Sequence, residues 1–227
     1  MTSVNIIIVA AGSGLRYGAP LPKQFCLLAG KPVVMHTIER LRELLPHCRM
    51  KLVISRDMSD YWMNLCEEYT FESPEVVFGG TSRWESVRNA VTTLTDENDS
   101  ITMIHDAVRP VVDSATLQGL TEAMSSDDID GAIPVTHVTD TLREVFSDGT
   151  SASIDRSRFR AVQTPQAFRT SKLKVAYHLP YKQSFTDDAS VMEAAGFGRL
   201  KMTSGSPHNI KITNPGDIAV AELYIGR

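Results

Sequence analysis

Asn5-Ile6-Ile7-Ile8-Val9-Ala10-Ala11-Gly12-Ser13-Gly14-Leu15-Arg16 is a β-branched run that breaks directly into small residues and two glycines. Such a run reads as a buried strand, and the glycines mark a tight turn at its carboxyl end. A glycine-rich turn placed there lets backbone N–H groups approach phosphate oxygens. Further along, Lys51 to Ser55, Glu75 to Phe78, Thr102 to His105 and Ala132 to Val135 repeat the short, Ile/Val/Phe-rich character of a strand. Between them, Val34 to Leu45, Asp60 to Glu68, Ser82 to Leu94 and Ser114 to Met124 carry apolar residues at three- and four-residue spacings, with Asp113 as N-cap of the last. This alternation predicts an α/β fold with a mostly parallel sheet and helices on both faces.

The 227 residues suit one domain, and 42% hydrophobic with 22% charged residues is a globular composition. A net charge of −4, from 23 Lys and Arg against 27 Asp and Glu, provides no basic field for nucleic acid. An anionic ligand must therefore be met by locally placed cations. Cys26, Cys48 and Cys66 form no CxxC pair, and an odd number leaves one thiol unpaired, which fits a reducing compartment. The apolar stretch Ile6 to Ala11 is too short for a signal peptide or a membrane span, so the protein is expected to be cytoplasmic.

The strand-helix rhythm breaks between about Thr136 and Arg160, where Thr, Val and Ser alternate with charges around Ser147-Asp148-Gly149. This predicts a β-hairpin arm leaving the main body. A lone two-stranded hairpin is marginal in water, so it packs either on a second copy of the chain or on its own domain as an edge hairpin. Near the end, Asn214-Pro215-Gly216-Asp217 reads as an N-cap with proline at the first helical position, opening a closing helix to about Tyr224.

The glycine turn is not a Walker A loop, which needs Gly-Lys followed by Ser or Thr, and Tyr17 stands where the dinucleotide fingerprint needs its third glycine. Arg16 and Lys23 add two permanent cations beside the turn, as a bound triphosphate requires when charge at its α-phosphorus must be stabilised. The second informative segment is His105-Asp106-Ala107-Val108-Arg109-Pro110, at the end of the fourth candidate strand, where open α/β sheets bind ligands. Asp106 can hold magnesium or a substrate hydroxyl, and Arg109 a phosphate; the bland alternative is a surface ion pair. His105 has no metal-ligand partner at helical spacing and reads as a satisfied structural histidine.

Together with Gly79-Gly80-x-x-Arg83-x-x-Ser86-Val87, Thr139-Asp140-Thr141, Asp155-Arg156, Gln163-Thr164-Pro165-Gln166, Thr186-Asp187-Asp188-Ala189 and Asn209-Ile210-Lys211-Ile212, these segments resemble the 2-C-methyl-D-erythritol 4-phosphate cytidylyltransferase family over nearly the whole chain. The resemblance implies a Rossmann-like nucleotidyltransferase fold, one domain over 1–227 with a dimerisation arm at about 136–160, and a homodimer with interlocking arms. It implies that Ala10, Ala11, Gly12, Ser13, Gly14, Arg16, Lys23, Gly80, Ser86 and Ala107 hold CTP. Asp106, Arg109, Thr141, Thr164 and Lys211 would surround the sugar-alcohol phosphate, with Arg156 reaching the site of the partner subunit. Arg16, Lys23, Arg156 and Lys211 would serve catalysis, with magnesium. In two places the chain departs from the family pattern: His137 stands where proline is usual, and His208 where an acidic residue is usual.

The nucleophile in such a transfer is a phosphate oxygen already ionised at neutral pH, so no Ser, Cys or His activated by a base is required. The rival readings are a pentitol (ribitol) 5-phosphate cytidylyltransferase of the same chemistry and a non-catalytic nucleotide-binding regulator. A third, a dinucleotide-binding oxidoreductase, is disfavoured by Tyr17.

Overall fold

The alternation of buried strands and amphipathic helices produces two apolar layers around one sheet. The computed structural model describes residues 3–12, 21–95 and 100–225. In chain order, β1 (Val4–Val9) is followed by a small ribbon, β2 (Leu27–Leu28) and β3 (Lys31–Pro32), then α1 (Val33–Leu44), β4 (Arg49–Ile54), α2 (Ser59–Glu68) and β5 (Glu75–Phe78). Next come α3 (Arg83–Thr92), β6 (Ile101–Asp106), α4 (Ser114–Met124) and β7 (Gly131–His137). Two short strands, β8 (Arg143–Val145) and β9 (Ser151–Ser153), precede β10 (Arg160–Val162), β11 (Gln166–Arg169), α5 (Thr170–Ala176) and α6 (Asp188–Ala194). The chain closes with β12 (Leu200–Ser204) and α7 (Gly216–Ile225).

The sheet runs β5-β4-β1-β6-β11-β7, and β10 and β12 also pair with β7. Because side chains alternate along a strand, β1 sends Ile6 and Ile8 to one face and Ile7 to the other. Ile6 and Ile8 pack with Leu52, Ile54 and the inward residues of α1, α2 and α4. Ile7 packs with Val53, Ile104 and those of α3, α5 and α6. The strands β1, β4, β5 and β6 are mutually parallel where they pair, as expected. The sheet is mixed at β11, which runs antiparallel to both β6 and β7. That element, α5 and α6 were not anticipated, and neither were β10 and β12, of which β10 and most of β12 are exposed and carry no apolar alternation.

The anticipated helix over 114–124 matches α4 at both ends, and Asp113 accepts the Thr116 N–H at 2.8 Å as its cap. At α7 the Asn214 carbonyl accepts the Asp217 N–H at 3.0 Å, in line with the expected cap position. The Asp217 carboxylate accepts the N–H groups of Thr213 and Asn214, at 2.7 and 2.8 Å, so an acidic residue inside the first turn closes it. The arm is present: β7 ends at His137, β8 and β9 pair across the Ser147–Gly149 turn, and the chain rejoins the sheet at Arg160. Gly149 has φ of +82°, which the turn requires and glycine allows. No described helix is long and apolar enough to cross a membrane.

The sheet's order reverses between β1 and β6: the chain leaves β1 toward β4 and leaves β6 toward β7. That switch point opens a crevice at the carboxyl ends of the strands.

Close packing at Gly131 sets the spacing of β7. A β-carbon there would overlap the Phe168 ring and lie 2.9 Å from the Ala167 carbonyl oxygen. Gly131→Ala is expected to lower the unfolding free energy by about 1–3 kcal/mol. Urea titration checks this, and an unchanged midpoint would show that Phe168 has room to move.

Candidate active site

The first wall of the crevice is built around the end of β1. Gln24, buried on a single helical turn over Lys23–Phe25, donates its amide to the carbonyls of Ala10 at 2.6 Å and Gly12 at 2.9 Å. This fixes the start of the glycine turn and places Lys23 beside it. Ser13, Gly14 and Arg16 lie outside the described residues. The loop after β5 packs against the same turn, because Gly79 has no side chain: a β-carbon there would overlap the Ala11 methyl group and lie 2.8 Å from Ser86 Oγ. Ser86 Oγ accepts the Gly80 N–H at 3.1 Å and donates to the Ser82 carbonyl at 2.8 Å. Ala107, fully buried at the end of β6, donates its N–H to the Val9 carbonyl and accepts the Thr37 hydroxyl through its own carbonyl. Ala10, Ala11, Gly80, Ser86 and Ala107 therefore share one edge of the sheet.

The second wall is electrostatic. Asp106, 7% exposed, has Lys211 Nζ at 2.8 Å, Arg109 Nε at 3.6 Å and Arg83 Nε at 3.7 Å. Burial opposes ionisation of its carboxyl, but Arg83, Lys211 and Arg109 outweigh it and hold the group well below the usual carboxylate range. Arg83 is a fork: its terminal nitrogens reach Asp188 at 3.0 and 2.6 Å, and the Tyr177 hydroxyl donates to the same carboxylate at 2.5 Å. Burial works against the Arg83 charge, yet Asp188 and Asp106 keep it firmly protonated. Three cations thus face two carboxylates, leaving the crevice with excess positive charge. Arg109 Nε is buried without a hydrogen-bond partner, and burial pulls its guanidinium down.

Thr164 reaches this cluster through an irregularity in the sheet. Val162 opposes Val135 and Ala167 opposes Ala132, so the outgoing strand carries two more residues than its partner. The extra length extrudes Gln163-Thr164-Pro165; the Thr164–Pro165 peptide is cis. Thr164 Oγ1 accepts the Asp106 N–H at 3.0 Å. The loop bearing Lys211 is tied to the same bulge: the Gln163 amide exchanges bonds with the Ser206 backbone, and the Asn209 amide donates to the Thr164 carbonyl at 2.9 Å. Arg109 in turn donates to the Asn209 carbonyl at 2.7 Å.

Asp106, Arg109, Thr164 and Lys211, named from separate stretches of sequence, are brought together. Thr141 and Arg156 are not: both lie exposed on the arm, where the Arg156 guanidinium meets the Thr139 carbonyl. His105 is satisfied on both ring nitrogens, by Arg109 O and Thr164 Oγ1. His208, one of the two departures, packs its ring at a tilt against that of Tyr224 of α7, with centroids 4.4 Å apart. Gln24, Arg83, Asp188 and Asn209 were not expected to have roles. Arg83, Asp188 and Asn209 stood in quoted motifs and Gln24 next to Lys23, which was the available signal. Among the described residues no three His, Cys, Asp or Glu side chains converge as a metal cage would, and Asp106 already faces three cations. These residues do not fit a divalent ion held by the protein alone.

A sheet reversing beside a glycine turn, with a cationic crevice across the switch point, is the arrangement of an α/β nucleotidyltransferase. The family model described as 2-C-methyl-D-erythritol 4-phosphate cytidylyltransferase matches residues 4–227. The chain belongs to that family. A relative of that name from Porphyromonas gingivalis is 43% identical over 223 residues, 96% of each chain. One from Bacteroides thetaiotaomicron is 39% identical over 222 residues, covering 97% of this chain and 99% of the relative. Among solved structures, the Francisella tularensis enzyme of the same name superposes with a TM-score of 0.80 at 27% identity, over 98% of this chain and 99% of the other.

The Arg83–Asp188 pair gives a stability test. Asp188→Asn removes the bidentate partner of Arg83, leaving Asp106 at 3.7 Å, and is expected to cost about 3 kcal/mol, less any relief from Asp106 and from solvent at the partly exposed guanidinium. Tyr177→Phe removes one hydroxyl and is expected to cost about 1 kcal/mol. Chemical denaturation of both variants checks the ranking, and equal costs would place the stabilisation in the hydroxyl.

Proposed function

We propose that the chain transfers CMP from CTP to 2-C-methyl-D-erythritol 4-phosphate, releasing pyrophosphate, in isoprenoid precursor synthesis. One observation carries this: Asp106, Arg109, Thr164 and Lys211 converge at the switch point next to the glycine turn, in a chain that matches the family over residues 4–227. In this proposal the turn of Ala10 to Gly14, with Arg16 and Lys23, holds the triphosphate, while Gly80, Ser86 and Ala107 border the cytosine. Asp106, Arg109, Thr164 and Lys211 hold the acceptor. An oxygen of the acceptor phosphate attacks the α-phosphorus, the bond to the bridging oxygen breaks, and pyrophosphate leaves with the electron pair. No base is required, because the attacking oxygen is already ionised. The chain's residues align the two phosphates and offset their negative charge. A divalent ion such as magnesium would be held by the CTP phosphates rather than by these side chains, and would supply charge neutralisation there.

The same proposal makes the arm a dimer contact that carries Thr141 and Arg156 into the crevice of a second copy. What supports it is the arm's surface: Val145 is 74% exposed, with Phe146 and Phe159 above 40%, an unfavourable display for a hairpin standing in water. A cytoplasmic location is favoured by the cysteine usage, three residues that form no CxxC pair and no disulfide.

Supplying CTP and magnesium with either methylerythritol phosphate or ribitol 5-phosphate, and comparing kcat/KM from pyrophosphate release, tests the assignment. Preference for ribitol phosphate would move the protein to the pentitol enzymes, and binding of CTP without turnover would make it a regulator.

Lys23→Ala is expected to lower kcat by about a hundredfold with the fold intact; a variant keeping most of its kcat would remove Lys23 from the triphosphate site.

Arg156→Ala is expected to raise KM for the acceptor and leave that for CTP unchanged. If Arg156 serves the neighbouring site, mixing Lys23→Ala and Arg156→Ala chains under subunit exchange creates one intact site in each heterodimer, restoring about half of normal activity. Exchange verified by native mass spectrometry without any recovery would confine Arg156 to its own chain.

A further inference from the structure

His105 lies between two residues of the crevice without facing it, and its bonds form a chain whose proton positions can be deduced. The ring is fully buried. Its Nε2 is 3.0 Å from the Arg109 carbonyl oxygen and its Nδ1 is 3.1 Å from Thr164 Oγ1. A carbonyl only accepts, so Nε2 carries a hydrogen. In a neutral ring Nδ1 is then an acceptor, and the hydroxyl facing it must donate. Thr164 Oγ1 also accepts the Asp106 N–H at 3.0 Å. The sequence of donations runs from the Asp106 backbone to Thr164, from Thr164 to His105, and from His105 to the Arg109 backbone. Burial favours the neutral ring, holding the imidazole at about 4.

We infer that His105 is a positioning residue that clamps the Asp106–Arg109 turn and fixes the direction of the Thr164 hydroxyl, so that Thr164 can only accept a hydrogen bond from a ligand. The inference rests on the proposed function for the identity of that ligand. An ionised phosphate oxygen has no proton to give, so Thr164 meets a carbinol group of the acceptor. The phosphate is left to Arg109 and Lys211. This divides the acceptor subsite by proton inventory: Thr164 selects for a hydroxyl donor, and the cations select for the anion.

Two measurements test it. In the ligand-free full chain, nitrogen-15 correlation spectra of the imidazoles, with His105 assigned by the signal missing in His105→Asn, are expected to show a protonated Nε2 and a bare Nδ1. A proton on Nδ1 would overturn the inference, and this readout stands whether or not the chain uses methylerythritol phosphate. In kinetics, Thr164→Val is expected to lower kcat/KM for the acceptor about tenfold or more while leaving KM for CTP within about twofold. Thr164→Ser, which keeps the hydroxyl, is expected to stay within about threefold of wild type. His105→Asn retains an acceptor where Nδ1 stood, and is expected to keep more acceptor kcat/KM than His105→Leu. Should His105→Leu fail to fold, the Thr164 pair and the spectra still decide. Equal losses toward both substrates, or Thr164→Val matching Thr164→Ser, would reduce the network to ordinary packing. Absence of any transfer by the wild-type chain would overturn the proposed function and leave the tautomer to be decided by the spectra.

Discussion

Arg83, Arg109 and Lys211 can stand together in one crevice because the Asp106 carboxylate stands among them. At about 4 Å and an effective dielectric near 20, a unit-charge pair interacts by about 4 kcal/mol. Three mutually repelling cations around a void would not keep these positions. Asp106 sits 2.8 Å from Lys211 and under 4 Å from both arginines, while Asp188 takes the fork of Arg83 from behind. The carboxylates thus hold the cations in fixed positions, and in the proposed function this lowers the reorganisation that a phosphate would otherwise have to drive.

Everything else in the site keeps that carboxylate in place. It is the last residue of β6, a strand buried along its whole length and paired on both sides, by β1 and by β11. Its backbone N–H is taken by Thr164, and Thr164 is brought there by the two extra residues between β10 and β11. The same bulge binds the loop that carries Lys211, through Gln163 and Asn209. A strand irregularity thus joins elements remote in sequence, and the regular strands around it supply the rigidity.

The central strands were legible because they are buried on both faces and so consist of uninterrupted β-branched runs; Ile6, Ile7 and Ile8 are all fully buried. Helix α4 was legible to the residue, since Asp113 caps it locally. The antiparallel β11 and the edge strand β12 were not, because their pairing depends on distant partners and Lys201 and Met202 face solvent. In the site, Asp106 and Arg109 were read from their place at the end of a candidate strand, Thr164 and Lys211 through family resemblance, and the geometry brings the four together. Gln24 and Asn209 escaped because each acts on backbone carbonyls, of Ala10 and Gly12 or of Thr164, and nothing in the side chain's type announces which carbonyl will be near. The arm was visible as a change of rhythm, because its exposed strands alternate polar and charged residues around the Ser147–Gly149 turn.

Gly79 and Ala11 touch so closely that neither loop has an independent shape. A designer wishing to retune the proposed nucleotide pocket by transplanting loops would have to move both as a unit: a foreign turn with a larger residue at position 11, or a foreign β5 loop with any side chain at 79, brings its own obstruction. The wall near Ser86 and the turn near Lys23 are consequently one heritable part, and their separate histories in any family of such proteins should be correlated for steric reasons alone.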